Sequence, residues 1–146
     1  MVGKIRILFA LLLIFCFGFG YAMAITPERE TEIGRAGAEK LEKKYGLAKE
    51  RRYDYRIKTV GGRLEKVAPR RNEIKYTFRV LNSKQFNALA LPGGYIYATR
   101  GLMDKLNDGE LAFVLGHEVT HVAHRHWFSQ SSKETTTTIG IFAATI

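Results

Sequence analysis

Two histidines four residues apart, inside an apolar segment, constrain the fold of this 146-residue chain more than any other feature. The segment reads His117-Glu118-Val119-Thr120-His121. Residues four apart lie on one face of an α-helix, about 6 Å apart along its axis, so both imidazoles can reach one metal ion. Glu118 then lies beside that ion as a base that does not bind it. Histidines in an apolar helix are costly unless something binds them, which favours a metal site.

The residues around this motif have the signals of a helix. Asp108 is placed to cap it, and Glu110 lies in the first turn, where the helix dipole favours an anion. Apolar residues recur at helical spacing, namely Leu111, Val114, Leu115, Val119 and Val122. The five-residue motif on such a helix is typical of the active site of a zinc metallopeptidase.

Catalytic zinc normally takes three protein ligands and a water, so two histidines need a third partner. His124 stands roughly 10.5 Å along the axis from His117, and His126 points to a different face. Both are interpreted either as residues that contact the metal ligands without binding the metal, or as surface residues. Glu134 is the only carboxylate downstream of the motif, but its Ser/Thr-rich surroundings, residues 129–138, favour a solvated loop acid.

An ordered series of segments resembles the zinc metallopeptidases of the HtpX, BepA and CAAX-prenyl-protease type. The segments are Val80-Leu81-Asn82-Ser83, residues 87–97, Thr99-Arg100-Gly101-Leu102, Glu110-Leu111-Ala112 and residues 116–122. Leu91-Pro92-Gly93-Gly94 followed by the zinc helix is much more specific than the five-residue motif alone. The resemblance covers roughly residues 74–128, with a looser similarity in the helical region before them.

The resemblance implies that His117 and His121 bind one zinc ion per chain and that Glu118 is the general base. It also implies a third ligand, a Glu several tens of residues after the zinc helix. The chain reaches Ile146 before such a residue, within the apolar segment 139–146, which looks like the start of a helix with no stop signal. We therefore expect residues 25–146 to be the N-terminal portion of a longer metallopeptidase domain.

The remaining pattern predicts an α+β fold: N-terminal helices, a small antiparallel sheet, then the active-site helix of a zincin-like metallopeptidase, truncated at the C-terminus. Residues 26–45 are predicted to form one helix, capped by Thr26, and residues 53–67 a second. The expected inner stripe of the first helix is Ile33, Gly37, Leu41 and Tyr45. The predicted strands are residues 74–81, 86–91 and 95–98.

An edge of this sheet beside the zinc is a candidate substrate site, because main-chain pairing binds extended polypeptide with little regard for side chains. The candidate substrate-binding residues are Pro92, Gly93, Gly94, Tyr95 and Tyr97. The alternative is that the two tyrosines pack on a core face and that Pro-Gly-Gly is a turn.

The N-terminus has the pattern of a leader. Lys4 and Arg6 precede the apolar run 7–19, and Ala22-Met23-Ala24 places small residues at the two positions that a leader peptidase reads. Residues 1–24 are therefore predicted to be a signal peptide, and the location to be extracytoplasmic. Among the branches of the family that the chain resembles, the leader favours the extracytoplasmic BepA-like or the mitochondrial OMA-like type, and we favour the bacterial periplasm. The alternative is a membrane anchor formed by residues 7–25, since about 20 apolar residues can span a bilayer.

The mature chain would lack cysteine, because Cys16 lies within the leader, which excludes disulfides and thiol chemistry. Loss of Lys4 and Arg6 lowers the net charge from +9 to +7, concentrated between residues 40 and 84. Such a charge favours anionic partners. Nucleic acid is excluded for a secreted chain with no recognisable binding motif, whereas an anionic membrane surface is compatible with the leader. A solvated helical surface explains the same charge.

Two function classes follow. The first is a zinc-dependent metalloendopeptidase that hydrolyses polypeptides and, as the resemblance implies, clears misfolded proteins of the cell envelope. The second is a non-catalytic module that keeps the fold and binds polypeptides or membrane proteins. Glu118 discriminates between them, because a binding module has no need for a base between two metal-reaching histidines.

Overall fold

A computed structural model describes residues 25–126, whereas residues 1–24 and 127–146 lie outside the described part of the chain. The signal peptide and the apolar segment 139–146 therefore stay predictions. In chain order the elements are α1 (Pro27–Tyr45), α2 (Arg51–Val67), β1 (Thr77–Leu81), β2 (Ala88–Leu91), a 3₁₀ turn (Pro92–Gly94), β3 (Tyr95–Thr99), α3 (Arg100–Met103) and α4 (Asp108–Ala123). This mixture of helices and a small sheet confirms the α+β class.

The sheet is mixed, so the prediction of an antiparallel sheet is wrong for one of its strands. Its order is β1-β3-β2; β2 is antiparallel to β3, but β1 runs parallel to β3. The chain leaves β1, passes to the far side of the sheet as β2 and returns through Pro92–Gly94 to fill the central position as β3. Parallel pairing of β1 and β3 follows from this path, which a strand pattern alone does not reveal.

Strand β1 begins at Thr77 and not at residue 74. The amide groups of Glu73 and Ile74 both donate to the Arg70 carbonyl, at 2.8 and 3.0 Å, so the chain is still in a turn there. Ile74 and Tyr76 are nevertheless buried, and the Tyr76 hydroxyl donates to the Pro69 carbonyl at 2.7 Å. Strand β2 begins at Ala88 instead of residue 86, and β3 continues to Thr99.

The sheet separates two layers of helices. Alternate residues of the central strand face opposite ways: Ile96 and Ala98 contact the core shared with α2 and α4, whereas Tyr97 packs against α1. The larger core contains Tyr53, Ile57, Val60, Phe78, Val80, Leu111, Leu115, Val119 and Val122. In α2, Gly61 lies against Phe78, where an added Cβ would come within 2.4 Å of the ring, so this glycine permits the close packing of α2 on β1.

The inner face of α1 matches the predicted stripe only in part, since Leu41 and Tyr45 are partly buried against the smaller core. Its buried residues are Glu30, Gly34 and Ala38, whereas Ile33 is 37% exposed. The shift arises because α1 packs on the Pro92–Gly94 turn: a Cβ added to Gly34 would lie 1.8 Å from the Pro92 carbonyl oxygen. The predicted cap is confirmed, since the Thr26 hydroxyl accepts from the Arg29 amide at 3.3 Å.

Within residues 25–126, none of the helices has both the length and the apolar character that crossing a membrane requires.

Candidate metal centre

Helix α4 begins with a capping box on Asn107, not with the predicted cap Asp108. The Asn107 side chain accepts from the Glu110 amide at 3.0 Å, and the Glu110 carboxylate accepts from the Asn107 amide at 2.8 Å. Asp108 instead accepts from Arg56 Nε at 2.6 Å. The start of α4 is therefore fixed both by its own cap and by an arginine of α2.

The apolar face of α4 directs the histidines away from the core. Its buried residues are Leu111, Leu115, Val119 and Val122, which pack in the core shared with α2 and the sheet. On the opposite side His117 is exposed and His121 is half-buried. The helical spacing inferred from the sequence thus places both imidazoles on one accessible face.

The two imidazoles converge on one point. Nε2 of His117 and Nε2 of His121 are 3.0 Å apart, and the ring centroids are 4.6 Å apart with nearly perpendicular planes. Two nitrogens bound to one tetrahedral zinc ion, each at about 2.0–2.1 Å, would be separated by about 3.3 Å. The pair therefore fits a shared zinc ion after a shift of about 0.3 Å.

The surroundings of Glu118 and His121 shift their pKa values in directions that suit a general base and a metal ligand. Burial raises the pKa of Glu118 above its usual value, although the nearby His117 acts in the opposite direction. Burial, together with repulsion from His117 and His126, lowers the pKa of His121. Metal binding needs a neutral imidazole and a general base needs a pKa closer to neutrality, so both shifts favour function.

His126 contacts the far side of the His121 ring. Its Nδ1 atom lies 2.8 Å from Nδ1 of His121, while Nε2 of His121 faces His117. His124 stacks on His126, with 5.5 Å between their ring centroids. His126 is thus placed to orient His121 and not to bind the same ion.

Residues 25–126 contain no group of three or more His, Cys, Asp or Glu side chains arranged to hold a metal ion. The described part of the chain therefore offers two candidate ligands, His117 and His121, where catalytic zinc normally takes three. Glu134, the other candidate within the chain, lies outside the described residues.

The five residues predicted to contact substrate are not equally accessible. The Pro92–Gly94 turn contacts both α1 and α4, with Pro92 half-buried and the two glycines buried. Tyr95 is half-buried against α1. Tyr97 is 1% exposed, and its hydroxyl donates to Glu42 at 2.5 Å. The burial of Tyr97 fits the alternative interpretation, in which this tyrosine packs on a core face, here the face of the sheet away from α4. Substrate binding by these residues stays a prediction.

Strand β2 is the sheet edge that lies beside α4. Among residues 25–126, β2 pairs with β3 alone, and α4 packs against it. The Thr99 amide donates to the Asn87 carbonyl at 2.9 Å, which fixes the alternation of the antiparallel ladder. In this register the main-chain groups of Ala88 and Ala90 point outwards, away from β3. The edge can therefore pair with an added strand.

The sequence did not single out a buried ion-pair cluster that joins three distant parts of the chain. Glu30 of α1 is 0% exposed and accepts hydrogen bonds from Arg70 and Arg125. Glu30 had the pattern of an ordinary acid in a first helical turn, and nothing local distinguishes it from its exposed neighbours Glu28 and Glu32. Only the arrangement of residues far apart in sequence reveals its role.

Comparison with known proteins agrees with this geometry. The family model described as Peptidase family M48 matches residues 51–146. The mitochondrial metalloendopeptidase OMA1 of Bos taurus is 34% identical over 62 residues, which are 42% of this chain and 12% of that protein. Metalloprotease YcaL of Escherichia coli K12 is 41% identical over 70 residues, 45% of this chain and 28% of that protein.

A third relative is the beta-barrel assembly-enhancing protease of Yersinia pestis, which is 38% identical over 73 residues, or 48% of this chain and 14% of that protein. The chain spans only 12–28% of the lengths of these three relatives. The family model, in contrast, matches more than half of the chain, so the chain belongs to peptidase family M48.

Proposed function

We propose that this protein is a zinc-dependent metalloendopeptidase in which His117 and His121 bind the metal and Glu118 is the general base. The observation that carries the proposal is the convergence of the two Nε2 atoms, 3.0 Å apart, on the accessible face of a helix that also holds a half-buried carboxylate. Membership of peptidase family M48 and relatives named as metalloproteases support the same reaction.

The chemistry of the proposed site divides between the metal and Glu118. Zinc, when bound, supplies a Lewis acid that polarises a peptide carbonyl and acidifies an attacking water. Glu118 accepts the proton of that water and returns it to the leaving amine. Its raised pKa suits both halves of this exchange, because the carboxylate then binds the proton more tightly than an exposed Glu does. The third zinc ligand is proposed to be a Glu beyond Ile146, with Glu134 as the alternative within the chain.

The proposed substrate is extended polypeptide bound along β2. The outward main-chain groups of Ala88 and Ala90 offer hydrogen bonds to any backbone in an extended conformation, whatever its side chains. The edge belongs to a strand that packs against α4, which is the helix that carries the histidines. Such a site suits segments that are unfolded, because most backbone groups of a folded protein are already paired.

The proposed setting is protein quality control in the cell envelope, most specifically in the periplasm. This setting rests on the leader-like residues 1–24 and on relatives named beta-barrel assembly-enhancing proteases. Misfolded envelope proteins are then the proposed clients. The positive charge between residues 40 and 84 is compatible with association at an anionic membrane surface.

Substitution Glu118→Gln tests the proposal. The amide has nearly the shape of the carboxylate but cannot accept the proton, so we expect cleavage of an unfolded polypeptide to be abolished while zinc stays bound. Both quantities are measured on the same preparation, cleavage by gel and zinc by elemental analysis. Cleavage by Glu118→Gln at the parental rate would show that the peptidase mechanism is wrong. A parent protein that binds unfolded polypeptide but never cleaves it would favour the non-catalytic module.

A further inference from the structure

The most completely buried ionisable side chain among the described residues lies outside the metal centre. Glu30 is 0% exposed, and its carboxylate accepts from Arg70 at 2.7 and 3.1 Å, from Arg125 Nε at 3.0 Å and from the Gly93 amide at 3.4 Å. Burial opposes its ionisation more than any single contact favours it, but Arg70, Gly93 and Arg125 together lower the pKa of Glu30. The carboxylate is therefore a charged hub and not a protonated core residue.

The partners of Glu30 come from the elements that frame the candidate metal centre. Gly93 belongs to the turn between β2 and β3, and Arg125 follows the last turn of α4. Arg70 also donates to the carbonyl of Val122, at 3.3 Å, within that last turn. One carboxylate thus joins the end of α4 to the turn that follows the edge strand β2.

The backbone angles of Arg70 and Arg125 indicate that surrounding contacts impose this arrangement. Arg70 and Arg125 are the two described residues other than glycine with positive φ, at 59° and 52°. Such angles are unfavourable for side chains with a Cβ and persist where surrounding contacts impose them. Both are partners of the same carboxylate. The ion pairs therefore hold the chain in conformations that it would not adopt by itself.

A short path leads from Glu30 to a proposed zinc ligand through one ion pair, one peptide bond and one hydrogen bond. Arg125 is the residue directly before His126, whose Nδ1 lies 2.8 Å from Nδ1 of His121. A histidine that binds a metal through one nitrogen usually holds its other nitrogen in a hydrogen bond that fixes the ring. The position of His126 depends on where Arg125 is held, and Glu30 holds it.

We propose that Glu30 is a positioning residue, which fixes Arg125, and through it His126, so that the imidazole of His121 is oriented for metal binding. One arginine would suffice to neutralise Glu30. The second arginine, immediately before His126, is what connects the buried charge to the histidine cluster. The metal-binding part of this inference rests on the proposed function, whereas the orientation of the His121 ring does not require a metal.

The test compares Glu30→Gln with Glu42→Gln in the intact protein. Glu42 is a matched control, because it also lies on α1 and accepts from an arginine, Arg79 at 2.6 Å, and from Tyr97 at 2.5 Å. Long-range ¹H–¹⁵N spectra of the imidazoles are recorded without metal at pH 8, and zinc affinity is measured by competition with a chromophoric chelator. Melting temperature is recorded for each variant, so that a loss of fold is recognised.

We expect Glu30→Gln to change the ring-nitrogen shifts of His121 and His126 and to weaken zinc binding about 10–100-fold, as loss of a group that orients a ligand usually does. We expect Glu42→Gln to leave both readouts at parental values. Parental ring shifts and parental zinc affinity in a folded Glu30→Gln variant would overturn the proposal. Equal changes in Glu42→Gln would overturn it as well, because the effect would then be general.

Arg125 provides a second route if Glu30→Gln does not fold. Its side chain is 36% exposed, and Arg125→Ala leaves Glu30 paired with Arg70. We expect Arg125→Ala to reproduce both changes and Arg125→Lys to restore part of the zinc affinity. Parental behaviour of Arg125→Ala would contradict the proposal. A parent protein that neither binds zinc nor cleaves would refute the proposed function, whereas unchanged imidazole spectra in the variants would refute the positioning role.

Discussion

Glu118 shows how a single residue can be suited to function and unfavourable for stability. Burial raises the pKa of Glu118 in the folded state above its value in the unfolded chain. The ionised carboxylate therefore destabilises the fold as the pH rises above the unfolded-state pKa. We expect Glu118→Gln in the metal-free protein at pH 7 to unfold at the same temperature as the parent or higher. A gain of up to about 1 kcal/mol corresponds to roughly 4–8 °C for a domain of about 100 residues.

Calorimetric melting of both proteins without metal provides the measurement. A clear loss of stability in Glu118→Gln would mean that the carboxylate makes favourable contacts outweighing its burial. The same experiment near pH 4, where the parental Glu118 is protonated, should reduce the difference between the two proteins.

The pH dependence of cleavage follows from the same residues. As the pH falls, proton uptake by Glu118 removes the base, and its raised pKa places this loss at a higher pH than for an exposed Glu. A ligand imidazole must be neutral to hold a metal, and the lowered pKa of His121 keeps its imidazole neutral to a lower pH than an exposed histidine would reach. We therefore expect cleavage to decline on the acidic side, as measured by parallel rate and zinc-binding profiles. A rate that stays constant down to pH 4 would contradict this expectation.

At the level of elements, the contact between α1 and the Pro92–Gly94 turn depends on the absence of one side chain. A Cβ on Gly34 would meet the Pro92 carbonyl oxygen at 1.8 Å, whereas a Cβ on Gly37 would meet only the flexible Leu91 side chain at 3.4 Å. We expect Gly34→Ala to destabilise the fold by about 1–3 kcal/mol. Gly37→Ala should be neutral or stabilising by about 0.5–1 kcal/mol, because alanine favours helix.

Urea unfolding of the two variants tests this difference. The pair is matched, since both replace a glycine of α1 by alanine and differ only in what lies opposite. Similar stabilities of Gly34→Ala and Gly37→Ala would show that α1 can move away from the turn without cost.

At the level of elements, the edge strand β2 leads to a second prediction. Proline at position 90 removes an amide that points away from β3, and proline is tolerated on edge strands where the amide faces outwards. We expect Ala90→Pro to raise KM for an unfolded polypeptide about tenfold or more, with the melting temperature changed far less. Ala90→Ser keeps the amide and is the control. An unchanged KM in folded Ala90→Pro would exclude pairing of substrate along this part of β2.

The elements and the placement of His117 and His121 on one helix face could be predicted from the sequence because their signals are local. The spacing of His117 and His121 on a helix, the Thr26 cap and the alternation in the strands each depend on neighbours a few residues away. The parallel pairing of β1 with β3 could not be predicted, since strand residues do not encode their partner. The burial of Glu30 was missed for a related reason: its partners lie 40 and 95 residues along the chain.

At the scale of the whole molecule, the proposed third zinc ligand leads to a prediction about the zinc content and the mass of the native protein. We expect protein isolated from its native source to carry one zinc ion and to have a mass well above that of residues 25–146. An intact-mass spectrum under native conditions measures both quantities together. A mass equal to that of residues 25–146 with no zinc would instead favour the non-catalytic module, because two histidines alone hold zinc weakly.

The bond between Glu30 and Arg125 joins residues 95 positions apart. Loop closure over such a separation costs conformational entropy, which favours formation of this contact after the more local elements. The histidines would then gain their final orientation only once distant parts of the chain have come together. A newly delivered copy is itself an extended polypeptide, the kind of molecule that the mature protein is proposed to cut. A half-folded copy would then lack the completed site that the proposed cleavage requires.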